Sequence, residues 1–218
     1  MTATGSLTPM AHPPDRALLV LHTVRLKGFA DAEPVASTTG LPVDDVVAEL
    51  EEARNAGLAV RRDGRISGWS LTPAGRSAVA ARVAAELDGL GARPAVEAAY
   101  RRFLGCNREL LGICTDWQLR MVDGQQVPND HGDAAYDERV VKRLRLIDDA
   151  VQPVCDDLRV ALERFGRYGP RFSVALTKVE AGEVDWFTKP LIDSYHTVWF
   201  ELHEDLLATL GIERGSEV

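Results

Sequence analysis

The sequence predicts a mainly α protein in two parts: an N-terminal unit that carries one small β-hairpin, and a C-terminal antiparallel helical bundle. Three observations support this prediction. Apolar residues recur at helical spacing along most of the chain. Asp63-Gly64 gives a strong hairpin signal, and Gly89, Gly91 and Pro94 interrupt the helical pattern between the two parts. The predicted divisions are a disordered tail at 1–14, the N-terminal unit at 15–90, the bundle at 91–212 and a loose tail at 213–218.

Composition limits the kinds of partner that the chain can have. Its 218 residues carry a formal net charge of −8. Residues 1–90 hold nine Lys/Arg and eleven Asp/Glu, and the remainder holds sixteen and twenty-two. A nucleic-acid binder normally has a basic footprint. In this chain neither part is basic overall, so a DNA-binding footprint has to be local.

Hydropathy and cysteine content indicate the compartment. No apolar run approaches the roughly 20 residues that a membrane span needs. The first residues, MTATGSLTPMAHPP, lack the basic region and apolar core of a signal peptide. Cys106, Cys114 and Cys155 are odd in number and widely spaced, which favours reduced, buried thiols over disulfides or a zinc site. We therefore expect a cytoplasmic protein without a membrane partner.

The N-terminal unit predicts a definite order of elements. A first helix covers Asp15 to Phe29, and a short second helix covers Asp31 to Thr38. A turn at 39–41 leads to a third helix, whose apolar residues recur at i, i+3, i+4 and i+7 from Val43, until Gly57 stops it. Two strands joined through Asp63-Gly64 follow. Thr72 and Pro73 then open the next helix, with the threonine as N-cap.

This order resembles a winged helix-turn-helix. The run GLAVRRDGRISGWSLTPAGR resembles the wing and following helix of transcriptional regulators of the MarR type. The resemblance covers about the first third of the chain. It implies an N-terminal winged helix-turn-helix with a small β-hairpin wing, double-stranded DNA as a partner, and a homodimer formed by helices outside the wing. The large C-terminal bundle departs from that family, which leaves the dimer interface open.

The candidate DNA contacts lie at the turn, on the third helix and on the wing. Thr38 and Thr39 can hydrogen-bond phosphates, and Asp45 can accept from cytosine N4. Arg61, Arg62 and Arg65 crowd the wing tip and can contact the DNA backbone. The outward face of the third helix is acidic, however, which opposes phosphate contact. The alternative that the winged helix binds protein therefore stays open. The acidic outward residues are Asp44, Asp45, Glu49, Glu51 and Glu52.

The bundle predicts four helices, at 95–121, 137–165, 172–180 and 186–210, with a polar loop at 122–133. The last helix carries an apolar stripe that exceeds what its own bundle needs, so we expect part of it to form the homodimer interface. The stripe residues are Ile192, Tyr195, Trp199, Leu202 and Leu206.

Polar and aromatic residues of the bundle suggest a ligand pocket. If the polar loop and the start of the last helix meet at one end of the bundle, Trp117 and Trp199 wall a pocket with His196 and Asp193 among its polar groups. Helix caps and core aromatics explain the same residues without a ligand. The spacing matches neither a zinc motif nor a di-iron motif, so we predict no metal and no cofactor. The ligand-binding candidates are Asp116, Trp117, Asn129, Asp130, His131, Asp193, Tyr195, His196, Trp199 and His203.

No phosphate-cradling loop, dinucleotide-binding loop or nucleophile elbow is present. The prediction is therefore a non-enzyme: a homodimeric, cytoplasmic, DNA-binding transcriptional regulator whose bundle senses a small-molecule effector. One alternative is an accessory module that binds protein or ligand and never contacts DNA. Another is an enzyme that uses Asp116, His131, His196 and His203 with a metal.

Overall fold

The computed structural model describes residues 15–213 and 215. The tail predicted at 1–14 lies outside these residues, as do positions 214 and 216–218 of the tail predicted at the other end. The protein is mainly helical with two small antiparallel hairpins, which confirms the predicted mainly α class. The elements are α1 (Arg16–Lys27), α2 (Ala32–Thr39), α3 (Val43–Asn55), β1 (Ala59–Arg62), β2 (Gly68–Leu71), α4 (Pro73–Gly89), α5 (Arg93–Gln118), β3 (Leu119–Val122), β4 (Gln125–Pro128), α6 (Ala134–Ala161), a 3-10 helix (Glu163–Arg167), α7 (Tyr168–Glu180), α8 (Asp185–Thr188) and α9 (Tyr195–Leu210).

The N-terminal core forms where α1 to α4 enclose the β1–β2 hairpin. Trp69 of β2 is fully buried at its centre. Ala30, just before α2, pairs with Trp69 through two backbone hydrogen bonds of 3.1 and 2.8 Å, which ties the α1–α2 connection to the hairpin. As predicted, Thr72 caps α4: its hydroxyl accepts from the backbone N–H of Gly75 at 3.0 Å.

The C-terminal core is built around α9, which packs against α5, α7 and α8. The side chains of Tyr195, Trp199, Leu202 and Leu206 are at most 2% exposed. Four residues of the apolar stripe predicted to reach a second subunit are therefore buried inside the bundle itself. A homodimer would have to use another surface.

Helix α4 joins the two cores. Val79 and Val83 belong to the N-terminal core, whereas Leu87, two turns after Val79, belongs to the C-terminal core. The predicted boundary at residue 90 coincides with the end of α4 at Gly89. The helix that ends there packs against α9 as well as α1, so the two parts are in extended contact.

The polar loop predicted at 122–133 contains a second hairpin instead. Helix α5 ends at Gln118, and β3 pairs with β4 around Asp123-Gly124, where both residues adopt positive φ values of 50° and 79°. This is the same dipeptide signal that predicted the first hairpin.

The helix predicted at 186–210 is two helices, α8 and α9. Pro190 follows α8, Leu191 adopts a positive φ of 68°, and Ser194 caps α9 by accepting from Thr197 N at 3.3 Å. Asp193 consequently lies outside α9. Asp193 and His196 therefore do not lie one turn apart on a single helix. The spacing assumed for the predicted pocket is wrong.

No helix in the described part of the chain is both long and apolar enough to cross a membrane.

Candidate functional site

The contact between the two cores contains a buried network of charged groups centred on Asp205 of α9. Asp205 is fully buried. Its Oδ1 lies 2.7 Å from His22 Nε2 of α1 and accepts from Arg164 Nη1 of the 3-10 helix at 2.5 Å. Its Oδ2 accepts from Arg167 Nη2 at 3.0 Å and from the Tyr168 hydroxyl at 2.8 Å. One carboxylate therefore receives hydrogen bonds from three elements of the chain.

The charge states in this network follow from its burial. Burial alone would raise the pKa of Asp205, but the charge of Arg164, the interaction with His22 and the charge of Arg167 outweigh it and hold that pKa well below its usual range. For His22, burial lowers the pKa to about 4, against the opposing attraction of Asp205. His22 is therefore neutral at pH 7, with Nε2–H donating to Asp205. The ion pairs are those of Asp205 with Arg164 and Arg167.

The same arginines extend the network to the N-terminal elements. Arg164 donates through Nε to Glu86 Oε2 of α4 at 2.7 Å, and Arg167 donates through Nη1 to the Thr23 hydroxyl of α1 at 2.8 Å. A second set lies beside it: Lys27 of α1 donates to Glu201 of α9 at 2.6 Å, and Arg171 of α7 contacts Glu201 at 2.7 Å. Helices α1 and α4 are thus bonded to the bundle at several points, so their positions depend on it.

Arg171 also forms a bidentate pair with Asp193, at 3.0 Å through Nε and 2.9 Å through Nη2. Burial would raise the pKa of Asp193, but the hydrogen bonds and charge of Arg171 lower it below its usual value. Asp193, predicted as a ligand group, is therefore paired within the bundle, beside the contact between the two cores.

An open cleft of about 580 Å³ borders this contact. On the N-terminal side it is lined by Leu26, Phe29 and Ser37, and on the bundle side by Ile192 and Phe200, among others. Phe29 is 38% exposed and Phe200 41% exposed. The cleft therefore has apolar walls from both parts of the chain, with Lys27, Asp193 and Glu201 supplying charge.

The predicted wing arginines are exposed at the hairpin. Arg61 donates to Asp63 at 3.0 Å and its guanidinium carbon lies 5.7 Å from the centre of the Trp69 ring system. Arg62 and Arg65 form no ion pair among the described residues. These two guanidinium groups are available to an external anion such as a phosphate.

The other predicted DNA contacts are less available. Thr38 is 4% exposed and donates its hydroxyl to Pro34 O at 2.9 Å, and Thr39 donates to Val35 O at 2.8 Å. Asp45 forms an ion pair with Arg16 at 3.3 Å. Burial removes Thr38 from the exposed surface, which corrects its prediction as a phosphate contact. On the acidic face of α3, Asp44 and Glu52 are exposed, whereas Asp45, Glu49 and Glu51 are half-buried.

Four of the predicted ligand-binding residues meet at the end of the second hairpin. His131 Nδ1 lies 2.9 Å from Asp137 Oδ2, and Asn129 donates to Trp117 O at 3.1 Å. The rings of Trp117 and His131 are 4.5 Å apart. Neighbouring Asp130 accepts from Arg120 at 3.1 Å. An open cavity of about 440 Å³ is lined by Trp117, Asn129 and His131 together with residues around α8.

The remaining ligand-binding candidates lie elsewhere. Asp116 accepts from Arg143 at 2.6 Å. Tyr195 donates to buried Asp148 at 3.0 Å, and Trp199 donates to Asn107 at 2.9 Å. Trp199 stacks on Phe103 at 4.5 Å and does not line the cavity that contains Trp117. The single pocket predicted between the two tryptophans is therefore not formed.

The two remaining histidines are separate from one another. His203 is 8% exposed and lies 5.4 Å from the ring of Phe103. His196 is half-buried, and burial lowers its pKa. Among the described residues, no group of three or more His, Cys, Asp or Glu side chains could hold a metal ion.

The contact between the cores is the feature that the sequence prediction missed. Neither His22 nor the arginines of RFGRYGPR are among the residues that the sequence predicts for a site. Their spacing, with Arg164, Arg167 and Arg171 at i, i+3 and i+7, is one signal that could have indicated a charged face. A second is the position of Asp205 three residues after Leu202 and seven after Val198, which places it on the apolar face of the last helix.

Comparisons with known proteins add no further identification: no family model matches the chain, and no curated protein or solved structure shows significant similarity to it.

Proposed function

We propose that the chain is a DNA-binding transcriptional regulator with an N-terminal winged helix-turn-helix, and that the charged contact around Asp205 couples it to the bundle. The observation that carries the proposal is the order of α1 to α4 together with the exposed arginines of the β1–β2 hairpin. In this assignment α2 and α3 are the helix-turn-helix. The hairpin is the wing, and the bridge between Ala30 and Trp69 attaches it to the helices.

The distribution of charge favours a mode of DNA binding in which the wing makes the phosphate contacts. Affinity for DNA comes largely from neutralising phosphates. Arg62 and Arg65 are exposed and free of ion pairs among the described residues, whereas the outward face of α3 presents Asp44 and Glu52. The wing therefore supplies the phosphate contacts in this proposal, and α3 contributes at most base contacts through its carboxylates.

The contact with the bundle supports regulation. A ligand that shifts α9 or α7 has to move groups bonded to α1 and α4, because buried ion pairs are costly to separate. The predicted small-molecule effector is therefore best placed in the 580 Å³ cleft between the two parts, rather than between Trp117 and Trp199. The homodimer remains a prediction, through a surface other than the buried stripe of α9.

Replacing Arg61, Arg62 and Arg65 together by alanine tests the wing. We expect weaker binding to random-sequence duplex DNA. The slope of log K against log salt should flatten by about 0.9 for each phosphate that the protein no longer neutralises, so by about 2–3 if all three arginines bind phosphates. Fluorescence anisotropy over a range of salt concentrations measures both quantities.

The matched control replaces Arg101, Arg108 and Arg139, which are exposed on the bundle, by alanine. It changes the net charge equally and should leave the salt slope within error of the wild type. If both triple variants lose affinity equally, the wing is not the DNA contact and only the overall charge matters.

A second function is favoured by one observation, the acidic surface of α3. A helix that presents Asp44 and Glu52 to solvent suits a basic protein surface better than a DNA groove. In that case the N-terminal unit is a protein-binding module, and the charged contact holds it on the bundle without a role in DNA binding.

A further inference from the structure

A third cavity, of about 380 Å³, lies where the end of α2 meets the segment 163–171 of the bundle. Arg164, Arg167 and Arg171 line it from the bundle, and Ser37 and Thr39 line it from α2. Glu163 is also among the lining residues and is exposed to solvent. Three guanidinium groups at one cavity are a pattern typical of anion binding.

Two of the guanidinium N–H groups have no acceptor within the described part of the protein. Arg167 Nε and Arg171 Nη1 are buried and make no hydrogen bond to any described residue. The side chain of Arg167 is 9% exposed and that of Arg171 is 11% exposed. The two residues are four apart on one helical face. Buried donors without a partner are rare in native proteins, and each calls for a water or an ion to satisfy it.

The ion pairs leave Arg167 the least neutralised of the three arginines. Arg164 pairs with Glu86 as well as Asp205, and Arg171 pairs with Asp193 and Glu201. Among the described residues Arg167 pairs only with Asp205, which it shares with Arg164. An additional anion at this position therefore meets a guanidinium group that has no carboxylate of its own.

The α2 side offers a hydroxyl donor to the same anion. Ser37 is exposed, and its hydroxyl makes no hydrogen bond to the described residues. The Thr39 hydroxyl donates to Val35 O and accepts from Leu41 N, so Ser37 supplies the hydroxyl donor on this side. We propose that this cavity binds the oxyanion group of a small molecule, a phosphate or a carboxylate, between Arg167 and Arg171 of the bundle and Ser37 of α2.

An occupant of the cavity touches both parts of the chain. It bonds the bundle to the helix that leads into the α2–α3 turn, so it stabilises their contact. Anion binding itself does not depend on whether the chain binds DNA, so a phosphate titration separates failure of this site from failure of the DNA-binding function.

The test is isothermal titration calorimetry of the full chain at pH 7 and constant ionic strength, with inorganic phosphate in one arm, sodium acetate in the second and chloride as reference. We expect saturable binding of one anion per chain. Tighter binding of phosphate than of acetate assigns the site to phosphorylated molecules, and the reverse order assigns it to carboxylates.

Two variants locate the site. Ser37→Phe adds a bulky side chain at an exposed residue that lines both this cavity and the 580 Å³ cleft, and should weaken anion binding at least tenfold. Ser77→Phe, at an exposed position on α4, is the matched control and should bind like the wild type. Arg167→Lys keeps the charge but removes Nε and should weaken binding while circular dichroism shows a folded chain.

Either of two results overturns the site. One is the absence of saturable binding of both anions to the wild type. The other is equal affinity in the wild type, Ser37→Phe and Arg167→Lys.

Discussion

Replacing Asp205 by alanine is expected to lower the free energy of unfolding by about 3–5 kcal/mol, the usual cost of removing one partner of a buried ion pair. The substitution leaves Arg164 and Arg167 without their shared carboxylate in a site where Arg164 is fully buried and Arg167 nearly so. It also removes the partner of His22 Nε2. Urea unfolding followed by circular dichroism measures the change.

Asp157→Ala is the matched control. Asp157 pairs with Arg102 on the surface, with side chains 60% and 49% exposed. Exposed ion pairs contribute about 0–1 kcal/mol, because water and salt screen them. If the two variants lose similar stability, the network around Asp205 does not hold the two parts together.

Replacing Gly75 by alanine is the second large expected effect. A Cβ atom at Gly75 would lie 1.9 Å from Leu58 O and 2.8 Å from Leu58 C, both backbone atoms that cannot rotate away. The first turn of α4 has to move from the start of the hairpin to relieve this overlap. We expect the free energy of unfolding to fall by about 1–3 kcal/mol, the usual cost of overpacking a buried site.

Replacing Gly105 by alanine is expected to raise the stability instead of lowering it. Gly105 is an exposed position inside α5 where an added Cβ meets nothing within 4 Å. Alanine in a helix interior is more favourable than glycine by roughly 0.5–1 kcal/mol. Thermal unfolding of the two variants should therefore shift in opposite directions. A Gly75→Ala protein as stable as the wild type would contradict the close approach of α4 to Leu58.

The order of the N-terminal elements could be predicted because its signals are local. Asp63-Gly64 predicts the hairpin at the right place, although the strands are joined by residues 63–67 and neither Asp63 nor Gly64 has a positive φ. Thr72 caps the next helix within three residues of its start. The second hairpin carried the same signal in Asp123-Gly124. The sequence predicts a polar loop there, because its residues lack the apolar alternation of a half-buried strand.

The break between α8 and α9 could also be predicted in part, from Pro190. Proline disfavours a helical conformation in the residue before it, here Lys189, which has an extended backbone at the end of α8. The continuous apolar stripe across residues 192–206 concealed this signal. The error moved Asp193 onto the wrong element and so produced a pocket that the fold does not form.

The charged contact between the cores could not be found from spacing alone. His22 and Asp205 are 183 residues apart, and Arg164 and Glu86 are 78 apart. Their meeting depends on how α1 and α4 pack on α9, which no local pattern specifies. Local sequence patterns predict the individual helices. Asp205 becomes a hydrogen-bond acceptor for His22, Arg164 and Arg167 only when those elements pack together.

The most direct test of the DNA-binding function is genome-wide capture of DNA cross-linked to the tagged full chain in its own host. We predict reproducible enrichment of discrete sites, and disappearance of that enrichment when Arg61, Arg62 and Arg65 are replaced by alanine. A wild-type chain that is present and folded but enriches no DNA above the untagged control would contradict the proposed function and leave α3 as a protein-binding surface.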